Sequence, residues 1–200
     1  GTTSSGSSGH IQIATGDATG GSGGDILVSV GESKTDPGGD VVVTAGHSFS
    51  HSGGSISLTA GAGTSRSSGA VVVKTMNAGT NGVSGMLSFT SGTTSSGSSG
   101  HIQIASGDAT GGKGGDVLVS VGGSKTDPGG DVVVTAGQSF SHSGGAISFT
   151  AGESTSTSSG AVVVKSTNAG NFGVSGFLSF TSGTTSSGSS GHIQIATGDA

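Results

Sequence analysis

Cysteine, tryptophan and tyrosine are absent from this 200-residue chain, proline occurs twice, and charged residues make up 8% of it. Without thiols there are no disulfides and no thiolate metal sites, and the redox compartment leaves no trace in the sequence. Six Lys and Arg are spread singly along a polypeptide of net charge −5, so no basic stripe exists for a nucleic acid to bind. No apolar run approaches the roughly 18 residues that a membrane-spanning helix needs. With few large side chains and this much polarity, the composition alone borders on that of a disordered protein.

What is present argues for order. The apolar residues are gathered into short β-branched clusters, HIQIA, DILVSV, DVVVTA, SISLTA and AVVVK, separated by Gly, Ser and Thr, and 44 of the residues are glycine. Such clusters bounded by glycines are a strand signature. They also recur. GTTSSGSSGHIQIA starts at Gly1, Gly92 and Gly183, a period of 91 residues, and residues 1–91 differ from 92–182 at only 15 positions. Residues 1–91, 92–182 and the opening of a third copy, 183–200, therefore read as one continuous repetitive domain, a window on a longer array.

Each unit divides again. Cuts before every apolar cluster give segments beginning at His10, Asp25, Asp40, Ser55, Ala70 and Met86, five of 15 residues and one of 16; the second unit, from His101, divides identically. Positions two and four of every segment are apolar, as in Ile11 and Ile13, Val41 and Val43, or Leu87 and Phe89. Alternation of period two inside a period of 15 predicts an all-β fold, a β-solenoid (β-helix) with 15-residue coils and six coils per 91-residue repeat. At about 4.8 Å per coil, one unit would advance roughly 29 Å. Ala18, Ser33, Ser48 and Ala78 would line the inner side of the plainer return strand.

In that arrangement TDPGGDVVVTAG, at Thr35–Gly46 and again at Thr126–Gly137, is awkward: three consecutive valines cannot all face one core. Position three must point outward, which predicts a lateral assembly patch of Leu27, Val42 and Val72, repeated as Leu118, Val133 and Val163. Single exposed valines are ordinary, but a patch recurring in register favours contact with another copy or with neighbouring repeats. Phe49 and Phe140, at position ten, would lie beside Lys34 and Lys125 of the preceding coil and add a second contact or cover a corner.

Groupings with chemical potential are weaker. Asp25 and Asp40, with His10 before them, and their counterparts Asp116 and Asp131, would stack about 5 Å apart at position one. A hard cation relieves such repulsion, but GGD runs straight into apolar residues with no second oxygen ligand, so solvated turn aspartates are the better reading and no metal is assigned. Position twelve would align Asp36, His51 and Arg66, yet no nucleophile elbow accompanies them, and Thr157 replaces Arg66 in the second unit. No catalytic residue, no cofactor and no enzymatic activity are expected. Glycine spacings of the GxGxxG kind carry no weight in a sequence this rich in glycine. The two KTDPGG stretches read as turns with Pro setting φ. Asn77, Asn81, Asn168 and Asn171 all lack an N-glycosylation sequon.

The recurring pattern in GGDVVVTAG and GGSISLTAG resembles the Gly/Ser/Thr-rich short-coil β-solenoid repeats of very large surface or extracellular proteins of algae and other stramenopiles, and of some phage fibres. The resemblance extends over the whole sequence and brings no functional residues with it. It implies a glycine-rich tandem-repeat structural protein, extracellular or on the cell surface, forming the shaft of a filament or fibre by self-assembly through axial stacking and lateral packing. Its partners would be copies of itself or neighbouring repeats, without nucleic acid or membrane insertion. The alternative is a surface adhesin, or an ice- or carbohydrate-binding solenoid in contact with polysaccharide, although the outward pairs at positions three and five are too irregular for a lattice match.

Overall fold

The computed structural model describes residues 1–4 and 6–198. Among them there is neither strand nor helix. Among the described residues six hydrogen bonds join a backbone N–H to a backbone carbonyl, and each spans three or eight residues. A folded protein of this length carries on the order of 130 such bonds. Residues 15 apart, such as Val43 and Leu58, are joined by no ladder, and close approaches of the backbone are almost all local.

These observations overturn the all-β solenoid of 15-residue coils. A solenoid requires each coil to satisfy its N–H and C=O groups on the coils above and below; here the groups that pair do so within their own segment. The extracellular filament or fibre shaft assembled by stacking such coils falls with it. So do the neighbour relations that rested on stacked coils: Phe49 beside Lys34, Phe140 beside Lys125, and the columns of Asp25 with Asp40 and of Asp36, His51 and Arg66.

No described side chain is buried. The molecule exposes 19815 Å², against about 8,200 Å² for a compact protein of its mass and about 27,000 Å² for the fully extended polypeptide. Most of the apolar surface that would have to leave water to offset the loss of conformational entropy remains in water.

Two units can be distinguished, Gly1–Ile102 and Gln103–Ala200. In the first, each apolar pentad is followed by a loop that returns to its own start. The Gly54 N–H donates to the Gly46 carbonyl at 2.8 Å and that of Gly69 to Gly61 at 2.9 Å. Other loops come back to the same point without that bond: the last glycine of the segment lies against the residue at position six. A Cβ built on Gly39 would stand 2.8 Å from Val30 Cγ1, and one on Gly24 3.2 Å from Thr15 Cβ. Thr15 holds its loop through its side chain, Oγ1 donating to the Gly24 carbonyl at 3.1 Å. The 16-residue segment also comes back to position six, a Cβ on Gly85 standing 3.3 Å from Thr75 Cγ2, and adds a tight turn in which the Gly82 N–H donates to Gly79 at 3.3 Å.

The second unit repeats the pattern. Gly145 donates to Gly137 and Gly160 to Gly152, both at 2.9 Å, and Gly173 to Gly170 at 3.2 Å. The four loops closed by a bond across eight residues are those with alanine at position six: Ala45, Ala60, Ala136 and Ala151. All seven partly buried residues among those described lie in these four loops. A methyl group at position six lets the two glycine backbones meet. Val30 and Val121 place a branched side chain in that gap instead.

Candidate association segments

The pentads present their aliphatic side chains to water. Val41, Val42 and Val43 are 59%, 80% and 71% exposed, so position three is the most open of the three but faces away from no core. Leu27, Val72, Leu118, Val133 and Val163 are likewise exposed, and no backbone bond links any of these residues to another segment. The structure therefore displays the six lateral-patch residues singly, each at the centre of its own pentad, and brings none of them into a column. The largest loop side chains, Phe49, Phe140 and Phe172, are also fully open, with Phe49 meeting only the edge of the His47 ring, centroids 4.7 Å apart. Gln138 stands in place of His47 in the second repeat, so that contact belongs to the first repeat alone.

Asp36, His51 and Arg66 occupy the apexes of three separate loops. Two of them are held locally by a serine three residues earlier: the Asp36 N–H donates to Ser33 Oγ at 3.1 Å, and the His51 N–H to Ser48 Oγ at 3.0 Å. Their neighbours add a second tie. Thr35 Oγ1 donates to Asp36 Oδ2 at 2.9 Å, and Ser50 Oγ lies 3.0 Å from His51 Nδ1. The second repeat repeats these two ties, with Asp127 on Ser124 and His142 on Ser139, and adds a third, Thr157 on Ser154, each at 3.0 Å. This pairing of position nine with position twelve was missed in the apolar pattern, although a serine three residues before a polar apex is a readable signal of a turn capped by a hydroxyl.

Where position twelve is glycine, the apex can use a conformation closed to other residues. All four described glycines with left-handed φ, Gly6, Gly97, Gly112 and Gly188, stand at position twelve of their segments. A capped polar residue and a left-handed glycine are thus two ways in which this apex is built.

A serine and a histidine adjacent in one exposed loop, with no acid to orient the ring and no enclosing wall, lack the geometry of nucleophilic catalysis. Among the described residues no pocket is present, and no three His, Asp or Glu side chains converge where a metal could be held. One ion pair occurs among them, Lys113 Nζ to Asp116 Oδ2 at 2.7 Å, between exposed side chains. Asp25 and Asp40 stand in separate segments and share no site. No family model, curated protein or solved structure matches the sequence.

Proposed function

We propose that this protein is a non-catalytic structural repeat whose aliphatic pentads are cohesive sites, holding it to copies of itself, with the self-closed Gly/Ser/Thr loops as spacers between them. The observation that carries this reading is the exposure of every aliphatic triplet on backbone that pairs with no other segment. Apolar surface and unpaired backbone are the two features that draw extended segments together. Pentads of the same pattern recurring every 91 residues give each copy the same series of such sites. The loops, uncharged for the most part and already closed on themselves, have little to contribute to cohesion.

Sedimentation of the purified protein over a range of concentrations tests the reading. Association is expected, and it should weaken tenfold or more when Val42→Asp and Val133→Asp are introduced together, since each valine removed from water contributes about 1.5 kcal/mol or more and an unpaired carboxylate opposes burial. A protein that stays monomeric at every concentration, or that associates as well with both aspartates as without them, overturns it.

A further inference from the structure

Charge is not scattered at random over the pentads. Six of them contain three consecutive aliphatic residues, and every one of these carries a single charge at one end: Asp25, Asp40, Asp116 and Asp131 stand at position one, Lys74 and Lys165 at position five. The remaining pentads have Gln or Ser at position three and no Asp, Glu, Lys or Arg at either end. Among the pentads, a charge thus accompanies the most cohesive ones and only those.

The placement also discriminates between partners. When two Asp-led pentads pair in parallel, carboxylate faces carboxylate; when they pair antiparallel, each aspartate faces Ser29 or Thr44. Two Lys-ended pentads fare no better. An Asp-led pentad laid antiparallel on a Lys-ended one matches throughout: Asp40 faces Lys74, Val41 faces Val73, Val42 faces Val72, Val43 faces Val71 and Thr44 faces Ala70. The pentad from Asp25 fits the same partner in the same register, Leu27 opposite Val72. Opposite charges across a strand pair stabilise it and like charges oppose it.

We propose that the Lys-ended pentad of one copy is the antiparallel partner of the Asp-led pentads of another. The proposal rests on the reading of the pentads as cohesive sites and names what each of them joins. The pairing is between copies, and needs no segment to lie on its neighbour in sequence. One Lys-ended pentad has two edges, and each repeat supplies two Asp-led pentads, so Lys74 accommodates an aspartate on either side. Asp116, exposed like the others, is already paired with Lys113 at 2.7 Å, so the test is placed on Asp25, Asp40 and Asp131, for which no such pair is present among the described residues.

The test uses the full 200-residue protein and the concentration at which it begins to associate. Asp25→Lys, Asp40→Lys and Asp131→Lys together should raise that threshold about tenfold, from roughly two- to threefold per pair. Lys74→Asp with Lys165→Asp should also raise it. A variant with all five changes, close to the natural protein in net charge, should recover the natural threshold. Orientation is read separately, because the natural sequence offers no thiol: when copies with Thr44→Cys are mixed with copies with Ala70→Cys and oxidised, disulfides between the two kinds should exceed those within either kind. Failure of the five-change variant to recover, or a random distribution of disulfides, overturns the charge-selected pairing while leaving cohesion of the pentads standing. Loss of association through Val42→Asp alongside indifference to every charge change overturns it in the same way, whereas a natural protein that never associates removes the underlying reading first.

Discussion

At position nine a serine hydroxyl ties down the apex of five loops. Ser33, Ser48, Ser124, Ser139 and Ser154 each accept the N–H three residues on, a bond that substitutes for a backbone partner the apex lacks. Gly63 occupies the same position as Ser154 in the other repeat, and its loop is folded more tightly: a Cβ there would lie 2.5 Å from the carbonyl oxygens of both Arg66 and Ser67. Those are backbone atoms, so the loop has to open to admit any side chain. Gly63→Ser should therefore convert this loop to the form seen at Ser154, with the new hydroxyl accepting the Arg66 N–H. Slower amide exchange at Arg66 in the variant is the expected result, and unchanged exchange would show that the loop had moved without adopting the capped form. This detail was legible in the sequence, because a serine three residues before Asp36, His51 and Thr157 is a local signal that needs no tertiary partner.

On the scale of one segment, the pentad and its loop obey different constraints. Period-two alternation marks where the aliphatic clusters lie, although no strand forms there among the described residues, and the 15-residue spacing marks where each loop ends. Where the last glycine goes was not legible. A segment that returns to lie on the next coil and one that closes on its own position six have the same period, the same glycines and the same apolar positions. Distinguishing them takes long-range backbone pairing, which no local pattern reports. Val42 shows the consequence: its outward direction follows from alternation, but the core from which it would point away requires coils that do not stack. Position six sets the closure. Alanine there accompanies the Gly137–Gly145 bond, whereas the loop of Val121 has the valine side chain in the gap, 2.7 Å from where a Cβ on Gly130 would lie. Ala136→Val should thus break the bond from Gly145 to Gly137. The Gly145 amide would then exchange with solvent as freely as that of Gly130, and continued protection would mean that the bond does not depend on the size of residue 136.

For the molecule as a whole, the decisive quantity is the apolar surface left in water. Cooperative unfolding and a large heat-capacity change both come from exposing a core, and the described residues contain none. The six local backbone bonds can each open without disturbing the others, since none of them spans more than eight residues. A dilute, unassociated molecule should therefore melt gradually in the calorimeter, with a heat-capacity change far below the roughly 2.5 kcal/mol/K of a packed protein of 200 residues. Association changes the balance, because each pentad covered by another copy removes aliphatic surface from water and pairs backbone at the same time. If copies cohere through the pentads, raising the concentration should sharpen the transition and move it upward, as mass action requires of any order that depends on a partner. A sharp transition whose midpoint is independent of concentration would instead mean that a single molecule buries a core of its own, and would remove the physical reason for the pentads to seek one another.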